Sequence, residues 1–373
     1  MVIGPTVASL NRWPGVVAEV ATTDADGPGG RLSACSLPVH ADCVHLFRRT
    51  FSERWKYSGD LWRWLQCHVA DYDLLHIHSL WSFASAAAAS AARRAGVPYI
   101  VRPAGMLSPY SWGRGVWHKR LYWSLAERAT VHGAVGFHVT SEDEAAEVRA
   151  VRTDARTFVI PNGVDDGAWT AGTNQTELRR RCGERAGNRP LVLFLSRLHP
   201  KKGITDLLLP AMARLKSDAF LALVGGTDPH APGYDAEVIS AIDRLGLNDR
   251  VAMLGPVAVK ERWQLFDGAD VFVLPSWSEN FGVVVAEAMA RKCPVVVTEG
   301  VHSRTIVAAA GAGRIVRPDP GDIAAALDDL VADPDSRARM GCRGREYIET
   351  HLGWESIARS LVSAYQECLS RSS

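Results

Sequence analysis

Short apolar runs of strand length alternate with amphipathic helical patterns along the whole chain. This alternation is typical of βαβ units, in which helical crossovers join parallel strands. In the first half the pattern predicts strands at 16–21, 74–78, 99–101, 136–140 and 158–160. In the second half it predicts strands at 191–195, 219–224, 251–254, 271–274, 295–297 and 314–316. The expected fold class is therefore α/β, with two doubly wound, Rossmann-like domains.

Helical patterns fill the intervals between these strands. They predict helices at 79–94, 118–129, 141–151, 204–215, 321–332 and 335–349, and a terminal helix to about residue 368. Ser141 and Glu144 have the spacing of a capping box, so we expect Ser141 to cap the helix that follows it. A polar segment near residues 170–188 predicts the boundary between a first domain at 1–172 and a second at 188–352.

Composition and charge narrow the class of protein. The 373 residues are 47% hydrophobic, and 42 Lys and Arg against 41 Asp and Glu leave a net charge of +1. This balance gives no reason to expect nucleic acid as a partner. The seven cysteines contain no C-x-x-C pair, which predicts reduced thiols, a cytoplasmic location and no metal site. The longest small-apolar run, 83–92, is too short to span a bilayer, so any membrane contact is expected to be peripheral.

Two carboxylates flank the junction between the strand at 271–274 and a helix that opens near Gly282. Glu279 precedes the helix and Glu287 lies within it, at the end of a parallel strand where open α/β sheets bind ligands. Glu287 lies among apolar neighbours, where a carboxylate needs a partner. The structural alternatives are a helix-capping role for Glu279 and a solvated helix face for Glu287.

A basic loop follows the strand at 191–195 and opens onto a helix. Arg197 can grip phosphate oxygens through two N–H groups, and Lys202 adds a compact positive charge, which suits a diphosphate. A solvated turn is the alternative. In the first half, His76 and His78 alternate at a strand end and are therefore expected on one face of the sheet. The segment 112–123 interleaves cations with aromatic residues, which is typical of a headgroup interface, an acceptor groove or a half-buried surface helix.

Three motifs together resemble the retaining GT-B glycosyltransferases. They are Arg197 and Lys202 in RLHPKKG, Pro161-Asn162-Gly163-Val164, and the Glu279 and Glu287 pair in PSWSENFGVVVAEAMA. More narrowly, they are similar to the large bacterial group 1 family that includes glycogen synthases, sucrose synthases and phosphatidylinositol mannosyltransferases. The resemblance covers residues 135–368 best. It implies two domains facing a cleft, with a terminal helix at 353–373 that crosses back to the first domain.

The resemblance also implies roles for the residues of the second domain. Arg197 and Lys202 would hold the diphosphate of a UDP- or GDP-hexose without a metal or other cofactor, and Glu287 would accept the ribose hydroxyls. Glu279 would bind hydroxyls of the transferred sugar. The amides that would meet the sugar and the phosphate belong to Asn280, Phe281, Gly282 and Val283.

In the first domain, the resemblance assigns His78 to the site beside the donor sugar. Gly4 would be the last glycine of a loop that contacts the donor phosphates or the acceptor, and Arg102 would contact the acceptor or a phosphate. The chain departs from the family in two places. The first strand of the N-terminal domain is apparently missing before Gly4, and the segment 300–304 lacks the usual Gly-x-x-Glu.

The expected function is transfer of a hexose from a nucleotide-sugar to a saccharide or lipid-linked saccharide acceptor, with retention, in cell-surface polysaccharide synthesis. The expected place is the cytoplasm, with peripheral contact at the inner face of the plasma membrane. Because of the short N-terminus, the alternative is a catalytically impaired nucleotide-sugar-binding or partner protein. A phosphorylase or epimerase of the same fold is a third hypothesis.

Overall fold

The computed structural model describes residues 2–26, 30–33, 40–51, 55–112, 120–170 and 176–371. The chain divides into two compact units, Met1–Gly163 with Trp354–Ser373, and Val164–Gly353. The predicted boundary at 172–188 lies beyond this division, because Val164 and Ala168 are buried in the core of the second unit. Within the described residues, every helix is too short or too polar to cross a membrane.

A six-stranded parallel sheet forms the centre of the second unit. Its strands are β7 (Leu191–Leu195), β8 (Phe220–Val224), β9 (Val251–Gly255), β10 (Val271–Leu274), β11 (Val295–Thr298) and β12 (Gly313–Val316). The spatial order is β12-β11-β10-β7-β8-β9. The six strands predicted in this half are confirmed, each to within one residue at either end. Their apolar runs are easy to recognise because helices cover both faces of a parallel sheet.

Helices cover this sheet and connect its strands. They are Gly167–Thr170, Glu177–Cys182, Leu209–Arg214, Tyr234–Arg244, Arg262–Asp267, Val283–Ala290, Arg304–Ala310, Pro320–Ala332 and Pro334–His351. The helix predicted at 204–215 begins as a π-helical turn, Ile204–Leu208, and continues as Leu209–Arg214. The order of the strands makes β7 and β10 neighbours, with chain connections running away from them on both sides. Loops after two such strands form the usual ligand site of an open α/β sheet.

The first unit contains two parallel sheets in its described residues. Strands β1 (Val20–Thr23) and β2 (Val44–Phe47) form one sheet. The other has the sequential order β3 (Leu75–His78), β4 (Tyr99–Arg102), β5 (Gly136–Val139) and β6 (Thr157–Val159). Strand β2 was not predicted, since its four residues are all half-buried and do not alternate between apolar and polar.

Helices of the first unit pack around its sheets. They are Ile3–Leu10, Gly59–His68, Phe83–Ala95, Pro109–Trp112, Arg128–Gly133, Glu142–Val151 and Trp354–Leu369, with a π-helix at Trp123–Glu127. The Ser141 hydroxyl accepts a hydrogen bond from the Glu144 N–H at 3.1 Å, which confirms the predicted cap. The terminal helix belongs to this unit, and the Ser9 hydroxyl donates to the Trp354 carbonyl at 2.8 Å.

Three predicted elements of the first half differ from the observed ones by more than one residue. The strand predicted at 16–21 begins at Val20, because the Asn11 side chain bonds both backbone groups of Ala18 and holds that residue outside the sheet. The helix predicted at 79–94 begins at Phe83, since Ser79 and Trp81 have positive φ. Residues 118 and 119 of the helix predicted at 118–129 lie outside the described residues, and its helical segment runs on to Gly133.

Candidate functional site

The loops after β7 and β10 bring Lys202 and Glu279 together. The Lys202 ammonium forms an ion pair with a Glu279 carboxylate oxygen, and both side chains are largely buried. The Trp277 N–H also donates to the Lys201 carbonyl at 2.9 Å, which ties the two loops through their backbones. Two residues predicted to serve one ligand are therefore in contact, and the pair holds a cation at the carboxyl end of the sheet.

Arg197 lies in the loop after β7 with an ion pair of its own. Its Nη1 atom is 2.8 Å from Oδ2 of the buried Asp228, while the arginine side chain is 69% exposed. Burial acts to raise the pKa of Asp228, but the His230 N–H and the Arg197 charge outweigh it and lower that pKa. Asp228 therefore stays ionised and fixes one end of an otherwise solvated guanidinium. The sequence carried no recognisable signal for Asp228.

Gly225 allows the loops after β7 and β8 to approach each other. Its φ is +151°, and a Cβ atom there would lie 1.8 Å from the Ser196 carbonyl oxygen. Any side chain would therefore displace the loop that carries Arg197.

Glu279 is held by its backbone as well as by Lys202. Its N–H donates to the Gly300 carbonyl at 2.9 Å, and its carbonyl accepts from the His302 N–H at 3.0 Å. Gly282 then turns the chain into the helix Val283–Ala290 with φ +68°. The first N–H groups of that helix have no intrahelical acceptor, so they can bind an anion or a sugar oxygen. This is the position predicted for the amides of Asn280, Phe281, Gly282 and Val283.

Glu287 is 4% exposed and has found a partner. Its Oε1 atom is 2.9 Å from Nη2 of Arg262, whose guanidinium lies over the Trp263 ring at 4.5 Å. Burial raises the pKa of Glu287 to about 7, and the Arg262 charge limits this rise. Asp165 is a second carboxylate near Arg262, at 4.0 Å. The sequence indicated that Glu287 needed a partner, but it did not indicate which residue.

In the first unit, His78 lies at the end of β3 in a group of three imidazoles. Its ring centroid is 4.3 Å from that of His76, as expected for alternate strand positions, and the His138 ring lies 5.2 Å from the His76 ring. Burial lowers the pKa of His78 and of His138 well below the usual value, and that of His76 to about 3. All three rings are therefore neutral at physiological pH.

The hydrogen bonds fix the tautomers of two of these rings. His138 Nε2–H donates to the Ile160 carbonyl at 2.9 Å, so its Nδ1 must accept from His76 Nε2–H at 3.3 Å. His76 Nδ1 then accepts from the Tyr365 hydroxyl at 2.7 Å. His76 is thus a structural residue. In the described part of the chain the His78 imidazole has no hydrogen-bond partner, so it is available to a ligand.

Arg102 and Gly4 also lie in the first unit. Arg102 is 5% exposed and donates to the Asn162 side chain, which connects the strand β4 to the Pro161-Asn162-Gly163-Val164 motif. Gly163 is needed in that motif because a Cβ atom would lie 2.5 Å from the Trp354 ring. Gly4 is buried in the first turn of the helix Ile3–Leu10. The acceptor contact of Arg102 and the donor contact of Gly4 remain predictions.

Two Rossmann-like units with parallel sheets, one of which carries paired cations and carboxylates at the switch between β7 and β10, define a GT-B protein. The family model "Glycosyl transferases group 1" matches residues 175–347, and the family model "Glycosyl transferase 4-like domain" matches residues 3–163. The D-inositol 3-phosphate glycosyltransferase of Frankia alni is 32% identical over 380 residues, which cover 91% of this chain and 89% of that protein.

Two further similar proteins have the same name. The D-inositol 3-phosphate glycosyltransferase of Nocardiopsis dassonvillei is 30% identical over 92% of this chain and 78% of its own length. The match to the protein of that name from Xylanimonas cellulosilytica is shorter and covers 60% of it, at 31% identity. The chain belongs to the group 1 family of glycosyltransferases, retaining enzymes that transfer a sugar from a nucleotide-sugar.

Solved structures show the same fold. Sucrose-phosphate synthase from Thermosynechococcus elongatus superposes with a TM-score of 0.76 over 98% of this chain and 92% of that chain, at 22% identity. Anabaena HepE in complex with UDP superposes with a TM-score of 0.73 over 88% of this chain and 87% of that chain, also at 22% identity.

Proposed function

We propose that this enzyme transfers a hexose from UDP-hexose to a saccharide or lipid-linked saccharide acceptor in cell-surface polysaccharide synthesis. The contact between Lys202 and Glu279, at the switch between β7 and β10, carries this proposal. It places a positive charge suited to a diphosphate against a carboxylate suited to sugar hydroxyls. HepE, a protein of the same fold, holds UDP and UDP-glucose in its structures, which supports UDP as the nucleotide.

The second unit would bind the donor along a line of complementary groups. Arg197 and Lys202 would neutralise the diphosphate. Glu287 would accept hydrogen bonds from the ribose hydroxyls once Arg262 gives up one of its contacts with Glu287. As the bond to the sugar breaks, negative charge grows on the departing diphosphate. Two cations and the N-terminus of the helix Val283–Ala290 stabilise that charge at fixed positions, with little reorganisation.

His78 would act as a hydrogen-bonding group in its neutral form. Burial keeps its pKa well below 6.5, so an imidazolium that could act as a general acid is not present near pH 7. A neutral imidazole can donate one hydrogen bond to a sugar hydroxyl and accept another. Its role is then to orient the donor sugar, and deprotonation of the acceptor hydroxyl is left to other groups.

Calorimetric titration of UDP and of GDP into the protein tests the donor site. We expect UDP to bind, and Arg197→Ala to weaken binding roughly tenfold through loss of a charge-assisted contact. Arg317→Ala is the matched control, because Arg317 has a comparable exposure of 72% and pairs with Asp322 in the same unit. Failure of both nucleotides to bind would overturn the donor site. Binding without hydrolysis of any UDP-hexose would favour the catalytically impaired alternative.

We also propose a peripheral membrane contact, which an exposed apolar patch on the first unit supports. We define this patch by Phe51, Trp55, Tyr57, Leu121 and Leu125, which are 40–74% exposed. The Trp55 ring meets the Tyr122 ring at 4.7 Å, so the two segments adjoin.

Cations flank the helical part of this patch. Arg120 and Arg128 are exposed on either side of Leu121 and Leu125. Apolar side chains beside cations suit a surface of anionic lipids, which would also present a lipid-linked acceptor.

Sedimentation with vesicles of anionic and of neutral phospholipid tests this contact. We expect binding to the anionic vesicles, with loss of most of it in Leu121→Ser/Leu125→Ser. Val17→Ser is the control, because Val17 is 84% exposed on the same unit but lies outside the patch as defined. Equal binding by the double variant and the wild type would remove the patch from the proposal.

A further inference from the structure

The turn that follows His78 has an unusual backbone. Ser79 has φ +68° and Trp81 has φ +61°, so two residues with side chains adopt the left-handed conformation within three positions. Such a conformation is unfavourable for a residue with a side chain and persists only where surrounding groups enforce it. This turn directly follows His78, so the groups that hold Ser79–Ser82 adjoin the strand end that carries His78.

A buried carboxylate holds this turn at its second strained residue. Oε1 of Glu127 accepts a hydrogen bond from the Trp81 N–H at 2.5 Å, and Glu127 is 0% exposed. Next to it, the Tyr122 hydroxyl donates to the Ser82 carbonyl at 2.8 Å. Glu127 and Tyr122 thus restrain two adjacent residues, Trp81 and Ser82, at the end of this turn.

A π-helix places these two side chains. Glu127 is the last residue of the π-helix Trp123–Glu127, which follows Tyr122 and leads directly into the helix Arg128–Gly133. A π-helical turn contains an extra residue, and such turns occur frequently at functional sites. Rings of Trp81, Trp112 and Trp123 pack against one another beside this turn, with centroids 5.2–6.0 Å apart.

A second buried glutamate shows what is unusual about Glu127. Glu144 holds the loop after β4 in a similar way, through the Gly105 N–H at 2.6 Å, and its other oxygen accepts from Thr140 N–H and hydroxyl at 2.7 and 2.8 Å. Both oxygens of Glu144 are therefore satisfied. Oε2 of Glu127 has no hydrogen-bond partner in the described residues. A buried carboxylate with one empty oxygen takes up a proton readily.

We propose that Glu127 is a positioning residue for His78, and that its carboxylate clamps the Ser79–Ser82 turn more firmly when ionised than when protonated. This inference rests on the proposed function only for the role of His78. An ionised acceptor forms a shorter and stronger hydrogen bond than a neutral one, so loss of a proton from Glu127 tightens the turn.

The neighbouring titratable groups do not compete with Glu127 near neutral pH. Burial raises the pKa of Glu127 to about 7, and the Trp81 N–H limits this rise. Burial, with the Glu127 charge as a further cause, raises the pKa of Tyr122 and of Tyr99 above 10. Arg93, which donates to the Tyr99 hydroxyl at 3.1 Å, lowers the pKa of Tyr99 in part. Arg128, the next residue along the helix, is exposed.

A spectroscopic titration tests the clamp without any assay of activity. The packed indoles make near-ultraviolet circular dichroism sensitive to the turn, and we expect a transition in the wild type centred near pH 7. Glu127→Gln keeps an acceptor for the Trp81 N–H but cannot ionise, so this transition should be absent. Glu144→Gln is the control and should retain it. A transition of equal size in Glu127→Gln, or none in the wild type, would overturn the clamp.

Hydrolysis of UDP-hexose, measured from pH 5.5 to 8.5, tests the link to His78. We expect Glu127→Gln to lower kcat roughly tenfold at pH 8 and to flatten the pH profile near 7, with KM for the donor unchanged. In a His78→Ala background, Glu127→Gln should have no further effect on kcat. Additive effects would show that Glu127 does not act through His78. If the wild type hydrolyses no UDP-hexose, the proposed function is wrong. The spectroscopic titration then still tests whether ionised Glu127 restrains the Ser79–Ser82 turn.

Discussion

The guanidinium of Arg262 lies 2.9 Å from the carboxylate of Glu287, although the two residues belong to different helices of the second unit. Removal of Arg262 would leave a buried negative charge without its main partner. We expect Arg262→Ala to destabilise the protein by about 2 kcal/mol at pH 8, since the Arg262 side chain is partly exposed to solvent. At pH 5 Glu287 is protonated and the loss should be smaller.

Urea unfolding at the two pH values measures this difference. Arg359→Ala is the control, because Arg359 and its partner Glu355 are both highly exposed and such pairs contribute little. An equal loss at pH 5 and pH 8 would show that the ion pair is not the cause.

The raised pKa of Glu287 makes the free energy of unfolding depend on pH. Its pKa is raised from 4.5 to about 7 in the folded chain, so the folded state binds this proton more tightly than the unfolded state. Its contribution to stability is full below pH 4.5 and is lost as pH rises to 7, by about 3 kcal/mol in total. Glu287→Gln should remove this loss, so the free energy of unfolding of the variant relative to the wild type should rise across that window. Glu346→Gln, at an exposed position, should follow the wild type.

The Gly282 turn predicts a coupling between backbone conformation and the position of Glu279. Gly282 has φ +68°, and a Cβ atom there would lie 3.1 Å from Glu279 Cγ. Gly246 has φ +66° with nothing within 4 Å of the same position. Both alanine variants should therefore lose about 1 kcal/mol from the left-handed backbone. Only Gly282→Ala should also weaken binding of a UDP-hexose, as measured by calorimetry, and equal binding by the two variants would contradict the coupling.

The Lys202 ammonium pairs with Glu279 in the structure, and in the proposed complex it would also contact the diphosphate. Lys202→Ala removes a charge from the proposed diphosphate site, and we expect UDP to bind roughly tenfold to a hundredfold more weakly. Lys260→Ala, at an exposed position of the same unit, should bind UDP as the wild type does. Wild-type affinity in Lys202→Ala would exclude the ammonium from the nucleotide site.

The Ser141 cap gives a prediction about stability alone. Ser141 is 3% exposed and accepts the Glu144 N–H, so Ser141→Ala should lower the free energy of unfolding by about 1 kcal/mol. Ser360→Ala, at an exposed position within the terminal helix, should change it by less than about 0.5 kcal/mol. Thermal or urea unfolding of the two variants distinguishes them.

The sequence by itself determined the elements whose signal is local. The six strands of the second unit are continuous apolar runs, because a parallel sheet is buried on both faces, and the Ser141 cap depends on residues three positions apart. Motif spacing also placed Arg197, Lys202, Glu279 and Glu287 in one family and in one half of the chain. The spacing of His76 and His78 predicted that their rings would lie side by side.

Only the tertiary structure decided which side chains meet. Arg262 reaches Glu287, Asp228 reaches Arg197 and Glu127 reaches Trp81 through packing between elements far apart in the chain, and no local pattern encodes such a contact. The same reason explains the errors of the first half. The Asn11 side chain holds Ala18 outside the sheet, and Glu127 helps to hold the left-handed turn where a continuous helix was predicted. Long-range hydrogen bonds override local propensity at these positions, and they also shape the loops beside His78.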